Sequence, residues 1–384
     1  MLLALGLSVL LAGLWGGLLR LGAPLPVWLP QAVPHHGALM IGGFLGTLIT
    51  LERAVALGRW WCFAGPLLAA AGAWAMLAGW PASIAGFLIT AASAVLVADF
   101  VVILHRQRTT FTIVMALGAA AWAVGNALWL AGWAVPHLVP WWAGFLILTI
   151  VGERLEMSRF MPSRPGRPTT FVIATGLYVL GLVASPAWPG LGLFVMGLGL
   201  IALAAWLIVF DVARRTIHQP GVPRFAATAL LGGYGWLAIG GALACCHAVL
   251  TPGAAGQRWI HTVPMAGLTY DAVWHSLLLG FVFAMIFGHA PIIFPAVLGI
   301  RMRFTQWFYS HLLLLHLTLI VRIAGDLILE PTWRAWGGMG NAAAILMFLA
   351  VTVINVRRPP IPRAEPVRHP QAAASGTVSL YRPR

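Results

Sequence analysis

Histidines inside long apolar stretches are the residues of this chain best suited to chemistry. His275 and His289 stand near the two ends of one such stretch, and His36 stands at the beginning of another. A polar side chain that faces hydrocarbon is costly, so a histidine in an apolar span usually faces the interior and has a partner there. Imidazole ligates haem iron and is a common copper ligand. The three histidines therefore indicate a haem or copper site within a membrane.

The composition predicts that the lipid bilayer surrounds most of the chain. Of its 384 residues, 60% are hydrophobic and 8% are charged, and the mean hydropathy is +0.90. Soluble domains carry about 25% charged residues, and about 20 consecutive apolar residues cross a bilayer as a helix. Twelve such stretches predict an all-α polytopic membrane protein. The predicted helices span about 2–20, 36–57, 61–79, 82–105, 110–132, 138–158, 168–186, 189–213, 223–250, 270–292, 304–327 and 335–356.

The distribution of arginines predicts the orientation. All 23 basic residues are arginines, and seventeen of them fall in alternate connections and in the C-terminal tail, against three in the opposite connections. Cytoplasmic loops are rich in basic residues, so both termini are predicted to be cytoplasmic. The net charge of +14 therefore indicates membrane topology and not nucleic-acid binding. A transmembrane bundle is predicted for 1–356, and a disordered basic tail beside anionic headgroups for 357–384.

The direction of each predicted helix sorts the histidines by depth. His36, His275 and His316 fall in the outer half, where they could meet as haem ligands, and the first two could also hold copper. His289 and His311 fall toward the cytoplasmic side and are candidates for a separate metal site. His311 and His316 are five residues apart, about 140° around a helix, so they cannot share a site. The alternative for each histidine is a buried imidazole that only hydrogen-bonds a neighbouring helix.

Arginines within the predicted helices are candidates for ion pairs or for binding a cofactor. Arg322 could bind haem propionates, because its guanidinium fork matches a carboxylate. It could also pair with Asp326, one turn later in the same helix. Glu52-Arg53 and Glu153-Arg154 lie at the cytoplasmic ends of their helices, far from an outer haem. We interpret them as structural ion pairs.

A short spacing recurs in three predicted helices. A Gly-Phe pair precedes an ionisable residue by nine positions at Gly43, Gly144 and Gly280, in helices 2, 6 and 10. Because these helices are four apart, the spacing suggests three four-helix units, although chance matches are the alternative. Helices 4 and 8 each carry an aspartate, Asp99 or Asp211, shortly before an arginine pair. These aspartates could handle protons, but we expect them to form salt bridges with arginines.

Three segments resemble the NnrS family of twelve-helix bacterial membrane proteins. The segment from His36 through Met40 to Gly43-Phe44-Leu45 is similar to that family's early His-x-x-x-Met…Gly-Phe-Leu segment. Gly152-Glu153-Arg154 resembles a variant of its mid-chain Gly-Gly-Arg segment, and the stretch 275–289 resembles its later His…Gly-His segment. The family is associated with the nitric oxide response and with haem and copper. The resemblance implies a bacterial inner membrane, haem b or copper as cofactors, and nitric oxide or a redox protein as partner.

The sequence is also compatible with functions other than haem binding. Three four-helix units with histidines in helices 2 and 10 are also similar to the catalytic subunit of haem-copper oxidases. Helix 6 has no internal histidine and helix 7 has no adjacent histidine pair, so an oxygen-reducing copper centre is not predicted. A transporter or permease that relays protons through histidines and aspartates is one alternative. A membrane assembly protein without a cofactor is another, and the sequence does not decide whether the chain is an enzyme.

Overall fold

A computed structural model describes residues 1–159, 161, 165–251 and 265–357, without the side chains of 296–298 and 357. Of the tail predicted at 357–384, only the backbone of residue 357 belongs to the described residues. Twelve helices in the described part are long and apolar enough to cross a membrane, which confirms the predicted all-α polytopic fold. They are α1 (Leu2–Arg20), α2 (His36–Leu57), α3 (Trp60–Leu77), α4 (Ala82–Arg106), α5 (Thr110–Leu130), α6 (Val135–Ser158), α7 (Arg167–Ala184), α8 (Pro189–Phe210), α9 (Val222–Leu250), α10 (Leu268–Pro295), α11 (Phe308–Leu327) and α12 (Pro331–Asn355).

Glycine, proline and side-chain caps set several helix ends. α2 ends at Gly58, whose φ of 63° lies in the left-handed region that glycine adopts without steric cost. Pro189 and Pro331 occupy the first turns of α8 and α12, where a missing N–H leaves no helical hydrogen bond unmade. Glu330 also caps α12, because its carboxylate accepts a hydrogen bond from Thr332 N. Such signals explain why the predicted ends lie within a few residues of the observed ones.

Short elements connect the spanning helices. Arg301–Met302 pairs antiparallel with Val356–Arg357, which joins the α10–α11 connection to the end of α12. Because successive helices reverse direction, Arg59, Arg106 and Arg301 lie at one end of the bundle, called the arginine-rich end below. The opposite end carries Arg20 at the close of α1.

Helices α2, α6 and α10 form the centre of the bundle. In their most apolar stretches 67, 72 and 67% of the residues are buried, against 33–50% in the other described spans. Consecutive helices pack on each other within α1–α4, α5–α8 and α9–α12. The three groups close into a ring, because α4 packs on α5, α8 on α9 and α12 on α1. This is the arrangement expected of three four-helix units, each of which contributes its second helix to the centre.

Two of the central helices carry a π-helical segment beside a histidine. The segments are Leu39–Leu45, which begins three residues after His36, and Ser276–Phe283, which directly follows His275. π-helical turns are rare and occur frequently at functional sites. The wider turns rotate the residues that follow each histidine. Consequently, α2 and α10 do not present the regular faces that a spacing of 3.6 residues predicts.

Candidate functional site

Two cavities lie along the central helices. The large cavity has a volume of about 600 Å³ and lies between α1, α2, α6, α10, α11 and α12, at the end opposite the arginine-rich end. Pockets that hold cofactors have volumes of about 300–1,000 Å³. The structure brings His36 and His275 to this cavity, and most other lining residues are apolar. Its arginine, histidine and carboxylate lining side chains are Arg20, His36, Asp271, His275, Arg322 and Arg334.

His36 lines the large cavity and uses one ring nitrogen for a hydrogen bond. Its Nδ1 lies 2.7 Å from the carbonyl oxygen of Gly13 in α1. A carbonyl only accepts, so Nδ1 carries the hydrogen and Nε2 keeps its lone pair. No hydrogen bond joins Nε2 to a residue that the structure describes. The ring packs against Gly17, where a Cβ atom would lie 2.8 Å from His36 Cε1. Gly13 and Gly17 of α1 therefore hold this imidazole in place. Neither glycine was singled out from the sequence.

Both ring nitrogens of His275 are engaged by protein groups. Its Nδ1 lies 2.9 Å from the carbonyl oxygen of Asp271 and 3.3 Å from Asp271 Oδ1. Its Nε2 lies 3.1 Å from Arg322 Nη2. A guanidinium only donates, so Nε2 accepts this hydrogen bond and Nδ1 is protonated. Asp271 was not among the predicted site residues, although its position one turn before His275 is a signal that could have found it.

Asp271 also holds two arginines together at the large cavity. Its Oδ2 lies 3.0 Å from Arg322 Nη2 and 3.2 Å from Arg334 Nη2. Arg334 Nε lies 2.8 Å from Oδ1 of the buried Asp326. The predicted pair of Arg322 with Asp326 is therefore wrong, because each of them is paired with a residue of another helix. Three guanidinium groups thus stand against the two carboxylates of Asp271 and Asp326, and the remaining positive charge suits an anionic ligand.

The structure does not bring His316 to the large cavity. Its Nδ1 accepts a hydrogen bond of 2.9 Å from Trp236 Nε1 of α9, and its ring faces Gly232 of the same helix. His316 and Arg322 are six residues apart, which turns their side chains about 120° from each other around α11. Because Arg322 faces the large cavity, His316 faces α9.

The small cavity lies between α1, α2, α6 and α10, toward the arginine-rich end, and has a volume of about 140 Å³. Glu52, Glu153 and His289 are its ionisable lining residues, and the others are mainly leucine, isoleucine and phenylalanine. His289 Nδ1 donates to the carbonyl oxygen of Met285 at 2.7 Å. Its Nε2 lies 3.3 Å from Arg154 Nη1 and accepts that hydrogen bond. His289 is therefore held in the same way as His275, by a backbone carbonyl and a guanidinium.

Ion pairs between helices surround the small cavity. Arg154 Nε and Nη2 donate to the two carboxylate oxygens of Asp211 at 2.9 Å each, which confirms the salt bridge expected of that aspartate. Asp99, by contrast, forms no salt bridge with a described residue, so the same expectation was wrong there. Arg53 of α2 contacts Glu153 of α6 directly and lies 3.5 Å from its neighbour Glu52. The predicted Glu153-Arg154 pair is thus replaced by contacts across helices.

His311 lies outside both cavities in a cage of aromatic rings. The ring centroid of Phe287 is 4.8 Å from that of His311, and Phe225, Phe308 and Phe348 complete the cage. The imidazole is fully buried, and neither nitrogen has a hydrogen-bond partner among the described residues. The structure therefore does not bring His311 to His289. In the described part of the chain no three His, Cys, Asp or Glu side chains are grouped so that they could hold a metal ion.

Comparison with known proteins gives a family match without a function. The model of the family described as "Domain of unknown function (DUF8744)" matches residues 1–357, which is nearly the whole chain. A search of curated proteins finds no match. The function therefore has to be argued from the two cavities.

Proposed function

The chain belongs to the DUF8744 family, and from its cavities we propose that it is a haem-binding membrane protein of nitric oxide response or membrane electron transfer. The large cavity is the proposed site for a b-type haem, which His36 would hold. The resemblance of three segments to the NnrS family supports the same cofactor.

The observation that carries the proposal is the state of His36. A histidine that ligates a metal usually donates its other ring N–H to a carbonyl or carboxylate, which fixes the tautomer and orients the ring. Gly13 supplies such a carbonyl at 2.7 Å from Nδ1. Nε2 is then the available nitrogen, on a residue that lines a cavity of about 600 Å³.

Three arginines that line the large cavity match the two propionates of a haem. Arg20, Arg322 and Arg334 line the cavity and would hold the two propionates of a haem through charge-assisted hydrogen bonds. Asp271 positions Arg322 and Arg334 through contacts of 3.0 and 3.2 Å. This carboxylate therefore orients both guanidinium groups.

His275 lines the same cavity as His36. Because Arg322 donates to its Nε2, His275 is not available as a second ligand unless that arginine moves. When bound, a haem would supply an iron that binds a diatomic gas such as nitric oxide or exchanges one electron. Copper is not included, because the described residues do not assemble a donor set for it.

The test is the visible absorption spectrum of the purified protein, with and without dithionite, together with its haem and iron content. We expect a reduced haem b spectrum that is lost in His36→Ala. His35→Ala is the matched control, since His35 is the preceding residue and is bound to Gln31 O. Iron-free, colourless protein after expression with added haem would contradict the proposal. So would a spectrum that His36→Ala leaves unchanged.

The proposal includes a location in the bacterial inner membrane with both termini cytoplasmic. Its basis is the arginine bias between the two ends of the bundle. Alkaline phosphatase fused after Asn355 should be inactive, and a fluorescent protein at the same place should fluoresce. The reverse pattern would contradict this orientation.

A further inference from the structure

A thin apolar layer separates the large cavity from the small one. Leu45 lines both cavities, Val282 lines the small cavity, and its neighbour Phe283 lines the large one. All three side chains are buried, and Phe283 stacks on Phe44 with ring centroids 6.4 Å apart. Apolar constrictions exclude water and ions until they widen. We call Leu45, Val282 and Phe283 the apolar barrier.

Both π-helical segments end at the apolar barrier. Leu45 is the last residue of the first segment, and Phe283 is the last residue of the second. A return to α-helical hydrogen bonding in either segment would rotate the barrier side chain relative to the cavities. The two π-helical segments therefore end in the layer that divides the large cavity from the small one. A change in their helical form would move the side chains of that layer.

Each cavity contains a histidine of α10 that belongs to an Asp–Arg–His chain. In the large cavity Asp271 binds Arg322, whose Nη2 lies 3.1 Å from His275 Nε2. In the small cavity Asp211 binds Arg154, whose Nη1 lies 3.3 Å from His289 Nε2. Ionisable residues inside membrane spans often mark ion pathways and proton relays.

The carboxylates of the small cavity are partly exposed. The side chains of Glu52 and Glu153 are 39 and 34% exposed, although both lie in spans. The charged and titratable groups that face Glu52, Glu153 or His289 are Arg53, Arg154, Glu156 and Asp211, in addition to these three residues themselves.

We propose that the central helices conduct protons from one side of the membrane to the other through the apolar barrier. A proton from water binds the carboxylate of Glu153, which lines the small cavity. It passes to water that enters when the barrier widens, and His275 or Asp271 accepts it in the large cavity. Only bonds to the proton form and break, so no oxidant or reductant is needed. This function goes beyond the proposed haem site and does not require a bound group.

The test is proton flux into liposomes that contain the purified full-length protein and the pH dye pyranine, driven by a potassium gradient with valinomycin. Wild-type protein should give a flux above that of protein-free liposomes. Leu45→Ala should raise it severalfold, because it thins the barrier. Leu45→Ala with Glu153→Gln should return the flux toward the wild-type level. Arg53 keeps Glu52 as a partner in that variant.

Two matched controls separate this conduction from a general leak. Leu203→Ala removes the same atoms from a buried position of α8 outside both cavities, and should leave the flux unchanged. Glu330→Gln removes a carboxylate that precedes α12 and lines neither cavity, and should also have no effect in the Leu45→Ala background. Helical circular dichroism and a single elution peak verify folding. If Leu45→Ala does not fold, Val282→Ala provides the same test.

Two results would overturn the proposal. One is a flux that is equal in wild type, Leu45→Ala and Leu203→Ala. The other is a raised flux in Leu45→Ala that Glu153→Gln does not lower, because that result would describe a pore without a carboxylate relay. Since the readout is proton movement, failure here leaves the haem proposal to its own spectroscopic test.

Discussion

Arg322 Nη2 lies 3.1 Å from Nε2 of His275, so the arginine occupies the lone pair with which this histidine would bind a metal. The same guanidinium is held at 3.0 Å by Asp271 Oδ2. Removing the arginine should therefore release His275, and the spectrum of the haem-loaded protein should report the change.

Arg322→Met is expected to make His275 available, so that it and His36 would both be able to hold a haem. Loss of the guanidinium frees His275 Nε2, while Arg334 still neutralises Asp271. A charge-assisted hydrogen bond contributes about 1.5–3 kcal/mol, so haem affinity should fall at the same time. The measurement is the shift of the reduced spectrum toward a six-coordinate, low-spin form. Arg20→Met is the control, and an identical spectrum in both variants would contradict the role of Arg322.

Gly17→Ala is expected to displace the ring of His36. The added Cβ would lie 2.8 Å from Cε1 and 2.9 Å from Nδ1 of the imidazole. Overpacking of this kind costs about 1–3 kcal/mol, and it should lower both the unfolding temperature and the haem content. Gly37→Ala is the matched control, because a methyl group there meets no described atom within 4 Å. Equal haem content in the two variants would contradict the proposed role of Gly17 in positioning the His36 ring.

His316→Ala should weaken the protein without affecting haem. The substitution removes the acceptor of the Trp236 indole N–H, which lies 2.9 Å from His316 Nδ1. An unpaired buried donor costs about 1–3 kcal/mol. We therefore expect a lower thermal midpoint in detergent and an unchanged haem-to-protein ratio. Loss of haem would show that His316 is a ligand.

Asp211→Asn should be among the most destabilising substitutions at the arginine-rich end. It leaves the Arg154 guanidinium buried without a counter-charge, which costs about 3–5 kcal/mol. Asparagine can still accept the hydrogen bond from Ala213 N, now 2.7 Å from Asp211 Oδ1, so the effect reports the ion pair. The double variant with Arg154→Met should regain part of the loss in a thermal-unfolding cycle. Additive effects of the two substitutions would contradict coupling.

His311→Phe should leave the stability unchanged or raise it. The imidazole has no hydrogen-bond partner among the described residues, and an unpaired buried polar group costs about 1–3 kcal/mol. Phenylalanine suits the surrounding rings of Phe225 and Phe287. His311→Ala is the comparison, since it leaves a cavity and should lower the thermal midpoint. A marked loss of stability in His311→Phe would indicate that the imidazole has a ligand.

The sequence by itself determined the fold class, the number of helices and their approximate ends. The reason is physical, since about 20 apolar residues suffice to cross a bilayer and the breaks carry turn residues such as Gly58. It also assigned His36 and His275 to the same depth in the membrane, because each stands near the beginning of a predicted helix that starts at the outer side. The spacing in helices 2, 6 and 10 suggested three four-helix units, and the structure shows that these helices are the most buried of the described spans.

Only the tertiary structure decided which side chains meet. Arg322 binds Asp271 from 51 positions away, and Arg154 binds Asp211 from 57 positions away, whereas the sequence had offered them neighbours in their own helices. The rotation of α11 turned His316 toward Trp236, and a carbonyl of α1 selected the tautomer of His36. Helix length follows from local hydropathy, but ion-pair partners follow from helix rotation and from π-helical turns. Those depend on packing among all twelve helices.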